Sequence, residues 1–242
     1  WDEPHHNQLQ DWVLYTQNIV CKYYADAILV HGDKDILPLI SDRTRLANSV
    51  QIIKDIEPLI TYTGYVCDES QPKHKQKNNN IYISTGLNKD EAVVIFKKIA
   101  EIAHHYPDHK FIMPIANKYN SIGGRKNKNI YLVEYVPELR KKLIDCAGYV
   151  TYGGYNATVE ILQSQVPSIV VPRQSGRKME QFVRAFTFEP YDFFKVITMQ
   201  EFSGIKSVLD KIVEGYKPKP FNYNLQGTSN TADILSEIYN GF

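Results

Sequence analysis

The feature of this chain that most constrains its fold is a regular alternation of short apolar runs and helical segments over residues 81–214. The runs IYIST (81–85), GYVTY (148–152) and PSIVVP (167–172) are rich in β-branched and aromatic residues, and each precedes a segment with helical periodicity. Apolar strands that alternate with amphipathic helices are typical of a parallel sheet covered by helices on both faces. We therefore predict an α/β fold built on a Rossmann-like doubly wound parallel sheet.

The positions of the predicted elements indicate where a ligand should bind. Strands are predicted at residues 81–85, 110–116, 129–136, 148–152, 167–172 and 194–198, and helices at residues 89–105, 138–146, 157–165, 178–188 and 202–214. In a doubly wound sheet, ligands bind beyond the carboxyl ends of the strands. The motifs described below follow strand ends, so we expect them to meet at one edge of the sheet.

Residues 1–66 follow a different pattern. They contain one predicted strand at 27–31 between helices at 9–24 and about 44–53, followed by the segment 60–66. Because one strand with two helices makes no stable sheet, we predict the terminal part of an incomplete amino-terminal domain, a remnant of a second Rossmann-like domain. The sequence begins without Met and in mid-segment, so we expect it to be a fragment.

The rest of the chain is predicted to form a linker and a second domain. Residues 67–80 are assigned to the linker, since QPKHKQKNNN (71–80) is polar, basic and without periodicity. Residues 81–242 are assigned to the ligand-binding domain. A last helix at residues 231–239 is expected to pack back on the amino-terminal domain.

Composition excludes several classes of function. Lys and Arg total 28 against 27 Asp and Glu, and they are dispersed, so nucleic-acid binding is not expected. Cys21, Cys67 and Cys146 lie far apart without CxxC spacing, which indicates reduced thiols in a cytoplasmic protein rather than disulfides or a zinc site. The histidines show no ligand spacing and no apolar run is long enough to span a membrane, so we expect neither a metal cofactor nor a transmembrane helix.

The most informative motif is GGYNAT at residues 153–158. Gly153 and Gly154 follow a predicted strand and precede a helix, where glycines allow a phosphate to approach the backbone and the helix amino end holds its charge. Glu160, one turn into the helix, is placed to accept hydrogen bonds from a ribose. A plain tight turn with Asn156 as the helix N-cap is the alternative interpretation of the same residues.

Further candidates follow the neighbouring strands. Arg173 comes directly after the strand PSIVVP and is suited to neutralising a diphosphate, and Glu180-Gln181 lies just beyond. Thr85-Gly86 ends the first strand of the sheet, where it forms either a backbone contact for the ligand or a simple turn. Neither GxGxxG with its acidic partner nor GxxxxGK[ST] occurs, which disfavours an NAD site and a P-loop.

On these motifs, the chain resembles the carboxy-terminal, donor-binding half of GT-B glycosyltransferases of the family 28 type, the group of MurG, and especially MurG-like predicted glycosyltransferases. The segments YYADAILVHGD (23–33) and TYTGYV (61–66) extend the resemblance over nearly the whole chain. In that family, a GG-x-N-T segment receives the donor diphosphate, a Glu binds the ribose, a strand ends in Pro, and an acidic-Gln pair contacts the sugar. The matching residues here are Gly153, Gly154, Asn156, Thr158, Glu160, Pro172, Glu180 and Gln181.

The resemblance also has departures. The glycine-rich loop of the family is reduced to STGL at residues 84–87, which leaves Thr85 and Gly86 as the phosphate contact there. Tyr135, before Pro137, stands where the family lines the base pocket. The family's acceptor-binding domain with its catalytic base is expected to lie outside this sequence. Asp33-Lys34-Asp35 matches the DxD motif with which glycosyltransferases of the other fold, GT-A, hold a metal ion, but its position in the chain predicts a loop.

The resemblance implies a metal-independent hexosyltransferase that moves a sugar from a nucleotide-diphosphate donor, expected to be UDP-linked as in UDP-GlcNAc, to an acceptor hydroxyl. The acceptor is unknown, either lipid-linked or a small molecule, and the missing domain would carry any peripheral contact with the membrane. Three alternatives remain open: a nucleotide-sugar 2-epimerase of GT-B fold, a non-catalytic donor-binding subunit completed by a separate acceptor-domain chain, and a nucleotide-binding regulator.

Overall fold

A computed structural model describes residues 16–34, 56–67, 73–84, 89–114, 127–173, 180–219 and 222–241 of the chain. These residues fall into two units: the first comprises Trp1–Glu69 with Asn222–Phe242, and the second comprises Ser70–Phe221. The helix predicted near residues 44–53 lies outside the described residues, as do residues 9–15 of the helix predicted at 9–24.

The first unit contains a short parallel pair of strands. They are β1 (Ile28–Val30) and β2 (Ile60–Tyr62), with Ile28 opposite Ile60. A π-helical turn at Thr16–Cys21 runs into the helix α1 (Lys22–Tyr24), and a 3-10 turn at Glu57–Leu59 precedes β2. Two such short strands make a marginal sheet on their own, in keeping with the predicted remnant of a second α/β domain.

The carboxy-terminal helix, Gly227–Asn240, packs on this first unit. Tyr65 N donates to Asn224 O at 2.8 Å, and Gly227 N donates to Tyr65 O at 3.1 Å. A Cβ on Gly227 would come within 2.5 Å of the Tyr65 carbonyl carbon, so the two backbones approach as closely as only glycine allows. The expected packing of the last helix on the amino-terminal part is confirmed.

Residues 222–241 therefore belong to the first unit. From the sequence they are assigned instead to the ligand-binding domain, because that domain is predicted to end at residue 242. Asn230 adds a side-chain hydrogen bond, from its Nδ2 to Thr63 O at 2.8 Å, and Thr63 is fully buried. Helical periodicity shows that a helix has an apolar face, but it does not show which unit that face covers.

The second unit is built from six strands and five helices among its described residues. The strands are β3 (Asn80–Ser84), β4 (Lys110–Pro114), β5 (Ile130–Val133), β6 (Gly148–Thr151), β7 (Ser168–Val170) and β8 (Lys195–Val196). The helices are α2 (Lys89–Ile102), α3 (Leu139–Leu143), α4 (Tyr155–Ser164), α5 (Glu180–Phe188) and α6 (Ile205–Val213). The 3-10 turns Ala103–His105 and Glu189–Tyr191 extend α2 and α5, and Phe202–Gly204 precedes α6.

All six strands are parallel and lie in the order β5-β4-β3-β6-β7-β8. The chain moves outward from β3 in one direction and from β6 in the other, so the strand order reverses between these two neighbours. Right-handed crossovers in opposite directions place their helices on opposite faces, which is the predicted doubly wound arrangement. Ser84 pairs with Thr151 at the carboxyl ends of β3 and β6, and this is the point where such sheets bind ligands.

The core of the second unit joins the sheet to its helices. Phe96 and Ile99 of α2 and Ile205 and Leu209 of α6 are almost completely buried. Each such side chain contributes about 1.5–3 kcal/mol through burial. Residues of the same cluster on the strands are Ile81, Ile83, Phe111, Met113, Val150 and Ile169.

Residues 73–79 of the predicted linker are attached to the second unit. His74 N donates to Ser164 O at 2.6 Å, and Lys77 N donates to Asp145 O at 2.9 Å. The Lys77 ammonium also lies 2.9 Å from Asp145 Oδ1. The polar sequence without periodicity therefore indicates a surface segment here, but hydrogen bonds to the second unit hold its backbone in place.

Candidate functional site

The site is organised by the glycine turn that leaves β6. Gly153 has a φ of +68°, and a Cβ at this position would lie 2.6 Å from Cγ1 of Val170 on β7. Both the left-handed backbone and the neighbouring strand therefore require glycine. Gly154 follows as the N-cap of α4, with φ −59° and ψ 162°, and the nearest atom to a Cβ there would be Gln181 Nε2 at 3.9 Å.

The prediction that Asn156 caps this helix is wrong. The helix α4 begins at Tyr155, so Asn156 is its second residue and is exposed. The cap is Gly154, which has no side chain and therefore makes no side-chain cap hydrogen bond. The N–H groups of the first turn are thus not taken up by a cap side chain, which suits the amino end of α4 to an anion.

Thr158 holds the turn together. Its side chain is buried, its hydroxyl donates to Gly153 O at 3.2 Å, and its backbone N–H donates to Gly154 O at 2.9 Å. These contacts fix the glycine turn against the first turn of α4. A direct contact between Thr158 and a donor diphosphate stays a prediction.

Glu160 lies deeper along α4 and pairs with Arg140 of α3. The distance between Arg140 Nε and Glu160 Oε1 is 3.2 Å, and the glutamate side chain is 15% exposed. Burial raises the pKa of the Glu160 carboxyl, and the hydrogen bond and charge of Arg140 partly offset that rise. Sequence reasoning identified Glu160 but missed Arg140, because the two meet only through the packing of α3 on α4.

Arg173 is the third residue after β7, which ends at Val170, and so lies beyond the carboxyl end of that strand. The residue is 8% exposed, and its guanidinium carbon lies 4.4 Å from the centroid of the Tyr152 ring. This cation–π geometry holds a buried positive charge beside the residue that precedes the glycine turn.

Helix α5 contributes a second arginine that the sequence reasoning missed. Arg184 Nη1 donates to Gly153 O at 3.3 Å, and its guanidinium carbon lies 5.6 Å from the centroid of the Tyr155 ring. Gln181, one turn earlier on α5, points its amide toward Gly154. The available signal was the helical spacing, since Arg184 is three residues after Gln181 and four after Glu180 and therefore shares their face.

Tyr135 stands apart from this group. Tyr135 follows the edge strand β5 and is 72% exposed. Thr85, Gly86 and the side chain of Glu180 lie outside the described residues. Ser84, the last described residue before Thr85, pairs with Thr151 at the end of β6.

The structure also bears on metals, thiols and membranes. Over the described residues, no group of three or more His, Cys, Asp or Glu side chains is arranged to hold a metal ion. Asp33 of the DxD-like segment accepts a hydrogen bond from Asn224 N at 3.0 Å, and Asp35 is not among the described residues.

Burial raises the pKa of the Cys146 thiol to about 12, so this cysteine stays neutral. Within the described part of the chain, we find no helix of sufficient length and apolar character to cross a membrane.

Comparisons with known proteins were made by sequence and by structure. No family model matches the chain. Two curated proteins of Streptococcus suis, from strains 05ZYH33 and 98HAH33, are each a UDP-N-acetylglucosamine--N-acetylmuramyl-(pentapeptide) pyrophosphoryl-undecaprenol N-acetylglucosamine transferase, and both are 32% identical to this chain over 120 residues. The match covers 48% of this chain and 33% of each relative, so the matched part is about a third of their length.

Solved structures with the same fold cover more of the chain. The glycotransferase of kitacinnamycin superposes with a TM-score of 0.59 at 15% identity, over 98% of this chain and 58% of that one. MurG of Acinetobacter baumannii gives 0.54 at 12% identity, over 72% and 56%. A putative UDP-N-acetylglucosamine 2-epimerase from Listeria monocytogenes gives 0.54 at 14% identity, over 96% and 78%.

Together these similarities confirm the predicted GT-B architecture with its Rossmann-like parallel sheet, and they confirm the resemblance to MurG-like glycosyltransferases. The glycine turn, the uncapped end of α4 and the two arginines that flank the turn all belong to the second unit.

Proposed function

We propose that this chain carries the donor site of a nucleotide-sugar-dependent glycosyltransferase. The observation that carries the proposal is the position of the Gly153-Gly154 turn, which lies at the reversal point of the sheet and leads into a helix without a side-chain cap. The sequence similarity to N-acetylglucosamine transferases supports the same class of reaction.

The chemistry of this class requires stabilisation of the departing diphosphate. Negative charge builds on the leaving group as the sugar–oxygen bond breaks, and the amino end of α4 offers N–H donors and a positive dipole end to that charge. Arg173 adds a buried positive charge beside Tyr152. With these groups in place, we propose that no metal ion is needed.

Glu160 and Gln181 would position the rest of the donor. The Glu160 carboxylate, whose charged form Arg140 favours, is proposed to accept hydrogen bonds from the ribose hydroxyls. Gln181 lies against the glycine turn, and its amide, with Glu180 before it in the sequence, is proposed to orient the sugar hydroxyls. These groups would supply positioning, while the base that deprotonates the acceptor is proposed to belong to an acceptor-binding domain or a separate acceptor-domain chain.

The donor and the acceptor are proposed from the relatives. Because the curated relatives are named as N-acetylglucosamine transferases that use UDP-N-acetylglucosamine, we propose a UDP-linked hexose as donor. A lipid-linked or small hydroxyl compound is the proposed acceptor. The proposed location is the cytoplasm, with peripheral membrane contact through an acceptor-binding domain.

A nucleotide-sugar 2-epimerase is the second candidate, since one structural neighbour bears that name. An epimerase resemblance calls for an acidic pair after the glycines, and the four residues that follow them here, Tyr155 to Thr158 with Ala157 among them, include no acidic residue. The Thr158 hydroxyl is also engaged with Gly153 O. These residues favour the transferase.

Calorimetric titration with UDP, UDP-GlcNAc, GDP and dTDP tests the proposal. We expect one nucleotide family to bind with a dissociation constant below about 1 mM, equivalent to about −4 kcal/mol or tighter. Failure of all four to bind would contradict the donor site. Prolonged incubation with UDP-GlcNAc, followed by analysis of the sugar, separates the two candidates, because only an epimerase would invert the configuration at C2.

A further inference from the structure

Three hydroxyl side chains lie on one face of the sheet, next to the glycine turn. Tyr149 and Thr151 are two residues apart on β6, so their side chains point to the same face, and Ser84 of β3 is the register partner of Thr151. Tyr149 is 2% exposed and Thr151 is 4% exposed. The register therefore places a buried tyrosine beside the two strand ends that meet at the reversal point of the sheet.

These hydroxyls are joined by hydrogen bonds. The side chains of Thr151 and Ser84 each form a hydrogen bond with the Tyr149 hydroxyl. Thr151 Oγ1 also accepts a hydrogen bond from the Gly153 backbone N–H at 3.4 Å. A threonine hydroxyl has one hydrogen and two acceptor positions, and an N–H can only donate, so the Thr151 hydrogen remains for Tyr149. The network thus runs from the end of β3 through Tyr149 and Thr151 to the glycine turn.

Tyr149 is suited to the centre of this network because its hydroxyl keeps its hydrogen. Burial, followed by the negative charge of Glu160, raises the pKa of Tyr149 to about 12. A neutral hydroxyl can donate one hydrogen bond and accept others, whereas a phenolate can only accept. Since the charge of Glu160 acts on Tyr149, the network lies near the carboxylate that is proposed to bind the ribose.

We propose that Tyr149 is a positioning residue for the donor diphosphate. Its hydroxyl holds Thr151 in the rotamer that accepts from Gly153 N–H, and so fixes the cradle formed by the glycine turn and the amino end of α4. Through Ser84, the same hydroxyl holds the end of β3. Because Tyr149 is buried, it acts through these neighbours and not by contact with the donor. The inference rests on the proposed function and adds a residue to its site.

The test removes single hydroxyl groups and measures binding of UDP, GDP and dTDP by calorimetry. Tyr149→Phe keeps the buried ring, and Thr151→Val keeps the shape of its side chain. Tyr82→Phe is the matched control, because Tyr82 is the register partner of Tyr149 on β3 and is similarly buried, at 5% exposed. The Tyr82 hydroxyl is hydrogen-bonded by Asn80, at the amino end of β3 and away from the glycine turn.

We expect Tyr149→Phe and Thr151→Val each to weaken binding of the nucleotide that the wild type prefers by about three- to tenfold. The double variant should bind no more weakly than the weaker single variant, because both changes break the same network. Tyr82→Phe should bind as the wild type does. Thermal unfolding shows which variants are folded. If Tyr149→Phe does not fold, Thr151→Ser carries the test against Thr151→Val, since serine keeps the hydroxyl and should retain the affinity.

Wild-type affinity in Tyr149→Phe, an equal loss in Tyr82→Phe, or additive losses in the double variant would each overturn the inference while the donor site stands. Equal binding by Thr151→Ser and Thr151→Val would have the same meaning. Failure of the wild type to bind any of the three nucleotides would instead overturn the proposed function, and this role with it.

Discussion

Arg140 and Glu160 form an ion pair with 3.2 Å between Nε and Oε1, which links α3 to α4. The pair lies on the helix whose amino end forms the cradle. Burial disfavours the charged form of Glu160, and Arg140 favours it. Arg140 therefore favours the ionised carboxylate that the proposed hydrogen bonds to a ribose use.

This pair predicts a pH-dependent stability defect in Arg140→Gln. Without the arginine, the pKa of Glu160 should rise further above the ordinary glutamate value of about 4.3. When the pKa of a carboxyl is higher in the folded protein than in the unfolded chain, folding is favoured while that carboxyl is protonated. This contribution to the free energy of unfolding is fully present below the unfolded-state pKa and is lost as the pH rises through the folded-state pKa. We therefore expect the melting temperature of the variant to fall progressively below that of the wild type as pH increases from about 4 toward neutrality. If the melting temperature of the variant were lower than that of the wild type by the same amount at every pH, Arg140 would act through packing alone.

Removing the carboxylate itself should weaken donor binding. We expect Glu160→Ala to cost about 1–3 kcal/mol of nucleotide binding, because charged hydrogen bonds to a ribose would be lost. Calorimetry with the nucleotide that the wild type binds measures the change. Glu101→Ala serves as the control, since it removes an exposed glutamate that pairs with Lys98 on α2. An affinity equal to that of the wild type would remove Glu160 from the site.

The glycine turn predicts unequal effects for two adjacent substitutions. Gly153→Ala should destabilise the protein by about 2–4 kcal/mol, because it combines a left-handed backbone with a clash against Val170. Gly154→Ala should cost less than about 1 kcal/mol, because its φ is negative and the space around its Cβ is open. Urea unfolding measures both changes.

A double variant separates the two causes at Gly153. Val170→Ala removes the atom that the new methyl group would meet, so adding it to Gly153→Ala should recover the steric part of the cost, measured against Val170→Ala alone. The strain from the positive φ should remain. Equal stability of the Gly153→Ala and Gly154→Ala variants would contradict the geometry described for the turn.

Donor binding should not require a divalent cation. Because the helix end and Arg173 are proposed to neutralise the diphosphate, we expect calorimetric affinity for the nucleotide to be the same in EDTA and in Mg²⁺. Measurement at constant ionic strength is essential, since salt alone screens charge–charge contacts. Loss of nucleotide binding in EDTA that Mg²⁺ restores would contradict a metal-independent site and would favour metal binding by the DxD-like segment at Asp33.

Local patterns in the sequence predicted most of the strands and the glycine turn correctly. The apolar runs at residues 81–85, 148–152 and 167–172 correspond to β3, β6 and β7, because a strand buried on both faces needs a continuous run of apolar residues. The assignment of the helix cap to Asn156 was wrong because Asn is a good cap in general, whereas here the glycine turn starts the helix at Tyr155.

The amino-acid sequence by itself determined the alternation that makes the sheet and the glycines that shape its ligand edge, since both depend on neighbouring residues and their backbone preferences. Only the tertiary structure decided that Arg140 meets Glu160 and that Arg184 reaches Gly153. These contacts join residues far apart in the chain, and they form when whole helices pack. No local periodicity contains that information.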